Sequence, residues 1–277
     1  MRRSRRCIWA ELHLLDDLRP DRQRRALTDR GIQVLYATPA QARMLVEAGG
    51  PVAGKLRHLV IGGSKLGTTL RAGLAGMAPQ AAVSEFYGAA EASFITLAGP
   101  GCPEGSVGRV YPGVELRVCG PGGDVMADGE VGEIWLRSPY VFEGYAGTNH
   151  GTAQWRAGFL SVGEIGALRE GYLYLAGRAG RMVTVADQNV FPEEIEAFLV
   201  ALAGVTQAAV LPVPDAVRGH HLVAVLMGDA ENAGILSALR AQYGTLKSPR
   251  RLIWRQDWPV LPSGKTDLRQ LAADLDP

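Results

Sequence analysis

Tyr87-Gly88-Ala89-Ala90-Glu91 combines an aromatic face for stacking, a glycine that lets a ligand come close, and a carboxylate suited to a hard cation. The same residues would also make an ordinary β-turn with a surface glutamate. Gly62-Gly63-Ser64 follows an apolar run and precedes a helical one. Such a turn presents backbone N–H groups at a positive helix end, where an anion or nucleotide is received, or is a plain strand-to-helix connection. Toward the other end stands Pro259-Val260-Leu261-Pro262-Ser263-Gly264-Lys265-Thr266. It superficially suggests a phosphate loop, but position 259 is proline where that motif needs glycine. Lys265 could neutralise a carboxylate or phosphate as charge develops, or stay solvated. His220 and His221 are adjacent, so on a strand they face opposite ways and are poor metal partners for each other. No Cys/His cluster has zinc spacing, and neither a Ser-His-Asp pattern nor a GxSxG elbow is present.

The elements that must position these residues follow from periodicity. Arg19, Arg22, Arg24, Arg25 and Arg30 fall on a predicted helix, diluted by Asp16, Asp17, Asp21 and Asp29. A solvated helix face explains them better than a nucleic-acid arm, because no aromatic residues interleave them. Strands are predicted at 34–36, 59–61, 83–87 and 93–97, with helices at 39–48 and from 66 to about 75. This βαβαβ rhythm predicts a parallel sheet layered with helices, an α/β arrangement. Residues 98–178 change character. Glycines and prolines punctuate short strands at 114–118, 133–136, 159–162 and 172–175, which predicts a small antiparallel sheet or β-barrel-like unit. Gly177-Arg178 and Gly180-Arg181 mark a joint. Beyond it a β-rich run at 182–185 precedes Pro192, which opens a helix whose first turn carries Glu193 and Glu194. The tail then reads as its own α+β unit: helix 192–203, strands near 207–212 and 222–227, helix 233–243, a strand near 251–255 and a closing helix from about 266.

Composition narrows the class. The chain is 47% hydrophobic, enough for one large or two ordinary cores, and its net charge of +1, from 29 basic and 28 acidic residues, demands neither nucleic acid nor an anionic membrane. Cys7, Cys102 and Cys119 form no CxxC pair, which suits a reducing, cytoplasmic compartment. No apolar run reaches the ~18 residues of a membrane span. The N-terminus, with Arg2, Arg3, Arg5 and Arg6, lacks the apolar core of a signal peptide.

Together these stretches fall in the order seen in one family. Asn189-Val190-Phe191-Pro192-Glu193-Glu194-Ile195-Glu196 resembles the helix start after the crossover of the adenylate-forming enzymes: acyl-CoA synthetases, peptide-synthetase adenylation domains and luciferases. Gly62-Gly63-Ser64-Lys65-Leu66 resembles their adenine-side glycine loop, and Glu85-Phe86-Tyr87-Gly88-Ala89-Ala90-Glu91 their Tyr-Gly-x-(Thr/Ser)-Glu motif. Gly132-Glu133-Ile134-Trp135 through Gly144-Tyr145, Gly158 through Glu164, and Gly264-Lys265 resemble further motifs of the family. Glu85-Phe86-Tyr87-Gly88 and Gly171-Tyr172-Leu173-Tyr174 look most like bacterial acyl-CoA synthetases.

The resemblance implies two-step chemistry. A carboxylic acid attacks the α-phosphate of ATP to give an acyl-adenylate, and a thiol of coenzyme A or of a carrier-protein phosphopantetheine then takes the acyl group. It implies the C-terminal half of a large adenylation domain (1–178) followed by a small mobile lid (179–277). By the same carry-over Gly62, Gly63, Ser64, Glu85, Gly88, Ala89 and Ala90 line the nucleotide, Tyr87 stacks on adenine and Glu91 holds Mg²⁺. Glu164 and Arg178 bind ribose, Lys265 bridges carboxylate and phosphate, and Gly180 falls at the hinge. The family's Pro-Lys-Gly phosphate loop lies upstream of the residues present here, with about 200 residues of N-terminal domain. Ala90 replaces a phosphate-binding Thr/Ser, Glu164 an aspartate, Arg181 an aspartate, and Ala186-Asp187 a Gly-Gly pair along the pantetheine tunnel. Two functions follow: an AMP-forming acid–thiol ligase, alone or completed by a separately encoded N-terminal half, or a non-catalytic relative that binds nucleotide or protein. The open sheet edge predicts pairing with itself, as a homodimer, or with a partner.

Overall fold

The computed structural model describes residues 10–15, 19–52, 54–145, 153–261 and 264–275. Arg2, Arg3, Arg5, Arg6, Cys7, Asp16, Asp17, Pro262 and Ser263 lie outside the described residues.

Helix α1 (Pro20–Asp29) leads to strand β1 (Val34–Ala37), helix α2 (Pro39–Glu47), strand β2 (His58–Gly62), helix α3 (Thr68–Met77) and strand β3 (Ala82–Ala89). Strands β1, β2 and β3 are parallel and in register, with Leu35 opposite Leu59 and Leu59 opposite Val83. A capping box starts α2: Thr38 Oγ1 accepts from Gln41 N–H, and Gln41 Oε1 accepts from Thr38 N–H. Leu45, Leu59, Ile61, Leu70 and Leu74 form the core between these helices and one face of the sheet. Arg24, predicted on a solvated face, instead donates to the carbonyls of Leu45, Gly50 and Pro51 and ties α1 to the end of α2.

Strand β4 (Ser93–Ala98) corrects the purely parallel expectation. It pairs antiparallel with β3, because residues 90–92 are too few for the helical crossover a parallel neighbour requires. Then come β5 (Arg109–Val110), β6 (Glu115–Cys119), β7 (Gly132–Arg137), β8 (Gln154–Arg156), β9 (Phe159–Ser161), β10 (Glu164–Arg169) and β11 (Tyr172–Arg178). They are antiparallel, as predicted. They are nevertheless hydrogen-bonded through β5 into the parallel part, so that eleven of the described strands make one sheet. Strands β5, β8 and β10 had no distinct sequence signal; each is two to six residues long.

After β11 a single 3-10 turn, Ala179–Arg181, leads to the hairpin β12 (Val183–Val185) and β13 (Gln188–Val190), then helix α4 (Pro192–Ala201). A three-stranded sheet follows: β14 (Val205–Asp215) antiparallel to β15 (Gly219–Gly228), itself parallel to β16 (Arg251–Trp254). Helix α5 (Asn232–Lys247), broken at Gly244, and helix α6 (Leu268–Ala273) pack around it. Val185, Ile195, Leu199, Val210, Leu222 and Leu239 share its core. Among the described residues no helix is long and apolar enough to cross a membrane.

The turn between β12 and β13 is Ala186-Asp187, with φ of 46° and 62°. Two-residue hairpins want Asn-Gly there, and an alanine in the left-handed region costs about 1 kcal/mol. Ala186→Asn is therefore expected to raise stability by about 0.5–1 kcal/mol, seen as a higher thermal midpoint. A lower midpoint would show that the contact of Ala186 N–H with the Arg218 carbonyl controls this turn instead.

Candidate functional site

The site residues gather where the parallel and antiparallel parts of the large sheet meet. Gly62 ends β2 and Gly63 has a φ of 97°, so the chain turns sharply before α3. The Phe86 ring fills the space where a Gly62 side chain would be. Glu85 is buried, and its Oε1 accepts from Leu66 N–H at 2.9 Å while Oε2 lies 3.4 Å from Arg71. Burial raises its pKa, against the pull of Leu66 N–H and the nearby cations Arg71 and Lys65. The carboxylate of Glu85 thus holds the Gly62–Leu66 loop in shape.

Tyr87 follows on β3 and packs against Ile95, Leu136 and Leu160 on one side and Val107 and Leu173 on another. Its hydroxyl is buried without a hydrogen-bond partner among the described residues. Burial pushes its pKa up, with Glu164 adding to the rise and Arg178 opposing it. A bulge sits between Tyr87 and Gly88, where β3 prepares to turn. Ala89 and Ala90 enter the turn, closed by Ala92 N–H on the Ala89 carbonyl. At its tip Glu91 accepts from Tyr145 Oη at 2.7 Å, and its carbonyl accepts from Phe142 N–H. An unpartnered buried hydroxyl is a cost, so Tyr87→Phe should be neutral or stabilising by about 1 kcal/mol in the free protein. Chemical unfolding of the two forms tests this; a clear loss would mean that the hydroxyl has a bound partner.

Glu164 and Arg178 are directly opposed across β10 and β11, and Arg178 Nε donates to Glu164 Oε1 at 2.9 Å. Glu164 is buried and Arg178 largely exposed, so the guanidinium is the solvent-facing member of the pair. Its position is set from both sides. Ser161 Oγ, fully buried, donates to Glu133 Oε1 at 2.6 Å and accepts from Gly163 N–H, and the Gly163 carbonyl accepts from Ala179 N–H. Tyr145 and Ser161 lie in stretches that resemble family motifs, but the sequence assigned neither a role; they act on partners 54 and 28 residues away, a separation no local motif reports.

Lys265 is not brought into this group. It sits exposed on a turn closed by its own carbonyl accepting from Leu261 N–H. Among the described residues no hydrogen bond or ion pair joins it to Glu91, Glu164 or Arg178. Ser64 is exposed on the loop after β2, and burial raises the Glu194 pKa against the charges of Lys247 and Lys65. His220 and His221 diverge as predicted: His220 Nδ1 faces the Thr184 carbonyl, and His221 lies 3.7 Å from Asp215.

The joint between the two sheets is held by charge. Arg181 reaches Glu196 at 2.7 Å and Glu193 at 3.3 Å, and donates to the Val210 carbonyl. Glu193 Oε2 is buried and unpartnered among the described residues, 2.6 Å from where a side chain on Gly177 would begin. Burial raises the Glu193 pKa against the attraction of Arg181.

Such a site, with a glycine turn at a strand end, a semi-buried aromatic, a carboxylate at a turn tip and an opposed Glu–Arg pair, suits a ligand with a ring, hydroxyls and an anionic group. The family model for AMP-binding enzyme matches residues 7–146, and that for AMP-binding enzyme C-terminal domain matches residues 194–265. The uncharacterized acyl–CoA ligase YhfT of Bacillus subtilis is 30% identical over 257 residues, 91% of this chain and 52% of YhfT. The solved amide bond synthetase McbA of Marinactinospora thermotolerans superposes with a TM-score of 0.83 at 27% identity, over 94% of this chain and 56% of that one. ATP-bound MatB of Rhodopseudomonas palustris superposes with a TM-score of 0.79 at 28% identity, over 92% and 53%. The chain spans about half the length of the relatives it matches.

Proposed function

This chain belongs to the AMP-binding enzyme family, and from that premise we propose that it is the nucleotide-side part of an AMP-forming carboxylic acid ligase. In the reaction the oxygen of a carboxylic acid attacks the α-phosphorus of ATP, pyrophosphate leaves, and an acyl-adenylate forms. A thiol, from coenzyme A or a carrier-bound phosphopantetheine, then attacks the acyl carbon and AMP leaves. Residues 1–178 belong to the large domain and residues 179–277 to the lid.

The observation that carries this proposal is the opposed Glu164–Arg178 pair beside Tyr87, since carboxylate and guanidinium together suit ribose hydroxyls next to a stacked base. Gly62 to Ser64 and Gly88 to Ala90 line the same end of the sheet. Glu91, already oriented by Tyr145, would supply one oxygen to Mg²⁺, an ion that takes one or two protein carboxylates and completes its shell with phosphates and water. Lys265 would act after the lid moves, because it lies on the C-terminal unit. The alternative, a relative that binds nucleotide without turnover, is favoured by Ala90, which has no hydroxyl for phosphate, and by Asp187 at the β12–β13 turn.

Calorimetry with AMP and ATP, with and without Mg²⁺, tests the site. AMP should bind, Glu164→Ala should weaken it by about ten-fold, and Lys265→Ala should leave AMP affinity unchanged. Binding of neither nucleotide would sink the proposal.

A further inference from the structure

We infer that Glu133 and Ser161 are positioning residues for ribose recognition: the hydrogen bond between them fixes the Glu164–Arg178 pair against the neighbouring strand. This rests on the proposed nucleotide site and names the residues that set its ribose selectivity.

Strand β7 changes partners along its length. Its Leu136 faces Leu160 of β9, while its Glu133 faces Ile165 of β10. Val162 and Gly163 alone connect β9 to β10, and Gly163 has a φ of 77°, in the left-handed region. Ser161 ends β9 and is fully buried. Its hydroxyl donates to Glu133 Oε1 at 2.6 Å and accepts from Gly163 N–H at 3.1 Å. The short connection is therefore tied to a carboxylate on the adjoining strand, and hydrogen bonds to an ionised carboxylate are among the stronger ones in a protein.

The tie controls the rung beside it. The Gly163 carbonyl accepts from Ala179 N–H at 2.8 Å; next come Glu164 opposite Arg178 and Ile165 opposite Gly177. A bulge between Ile165 and Gly166 then separates these rungs from the regular ladder over residues 166–169. A bulge interrupts a ladder and bends the strand, so the register beyond it does not by itself hold Glu164 and Arg178 in place. The fixed points on either side of Glu164 are Gly163, held by Ser161, and Ile165, paired with Glu133. Both trace to Glu133, one through its carboxylate and one through its main chain. Recognition of a hydroxyl tolerates only about 0.5 Å of misplacement, which is what such supporting hydrogen bonds supply.

Calorimetry with AMP and with 2′,3′-dideoxy-AMP reads ribose recognition, and hydrogen exchange at Ala179 reads the tie. The unaltered chain should prefer AMP by about ten-fold or more. Ser161→Ala, and Glu133→Ala at a half-buried position, should each weaken AMP about ten-fold and leave dideoxy-AMP binding as it was. Glu133→Gln keeps an oxygen to accept from Ser161 and should retain the preference. In the two alanine variants the Ala179 amide should exchange about ten-fold faster relative to the amides of residues 166–169. Alanine variants that are less stable but keep both the AMP preference and the relative exchange of Ala179 would overturn the inference. So would equal weakening of AMP and dideoxy-AMP. Faster exchange at Ala179 in a chain that binds neither nucleotide would count against the proposed function and leave Glu133 and Ser161 as the groups that fix the pair. An AMP preference that survives both alanine variants would do the reverse.

Discussion

Glu196→Ala is expected to lower the unfolding free energy by about 3 kcal/mol. Glu196 Oε1 accepts from Arg181 Nη2 at 2.7 Å and from Val210 N–H at 2.8 Å, and Oε2 accepts from Arg181 Nη1 at 3.1 Å. Truncation would orphan the N–H of fully buried Val210 and leave Arg181 with Glu193 and one carbonyl. Removing one partner of a buried ion pair costs about 3–5 kcal/mol, and both side chains keep some solvent contact, which puts the loss at the lower end. Glu196→Gln retains an acceptor for Val210 N–H and should lose about half as much. Arg181 lies in the turn between the two sheets, so the same variant should loosen the joint, read as faster proteolysis near residues 179–183. A loss below about 1 kcal/mol in urea titration would refute the role given to this cluster.

Gly88→Ala is expected to cost about 3 kcal/mol and to weaken AMP binding by about ten-fold or more. A Cβ on Gly88 would overlap the carbonyl oxygen of Ser93 across the β3–β4 hairpin. The hairpin has little room to yield. Ser93 already holds a φ of 57°, and Ala92 and Ile95 are fully buried. Relief would push β3 outward and carry Tyr87 and Glu91 with it. Thermal unfolding and AMP titration read the two effects separately. A variant unchanged in both would show that the hairpin shifts as a unit without moving the site.

Gly88 also shows where sequence and tertiary structure part. From the chain alone it stood for close approach by a ligand; in the fold the close neighbour is the chain's own Ser93 carbonyl. Glu85 likewise belonged to a nucleotide motif, yet its buried carboxylate is spent on Leu66 N–H and Arg71. Local information was enough for most elements. Periodic apolar residues and Pro at a first helical turn predicted β1 to β4, α2 to α4 and the α+β tail, since side-chain alternation and capping act within a few residues. Motif order was enough for the family, because a run of weak motifs in one sequence order is jointly specific. Only the tertiary structure decided that β4 runs antiparallel and that β5 joins both sheet parts into one. It alone paired Glu164 with Arg178 and set Tyr145 on Glu91. Those are contacts between residues far apart in the chain, and their partners are chosen by packing and burial, which no short window of sequence contains.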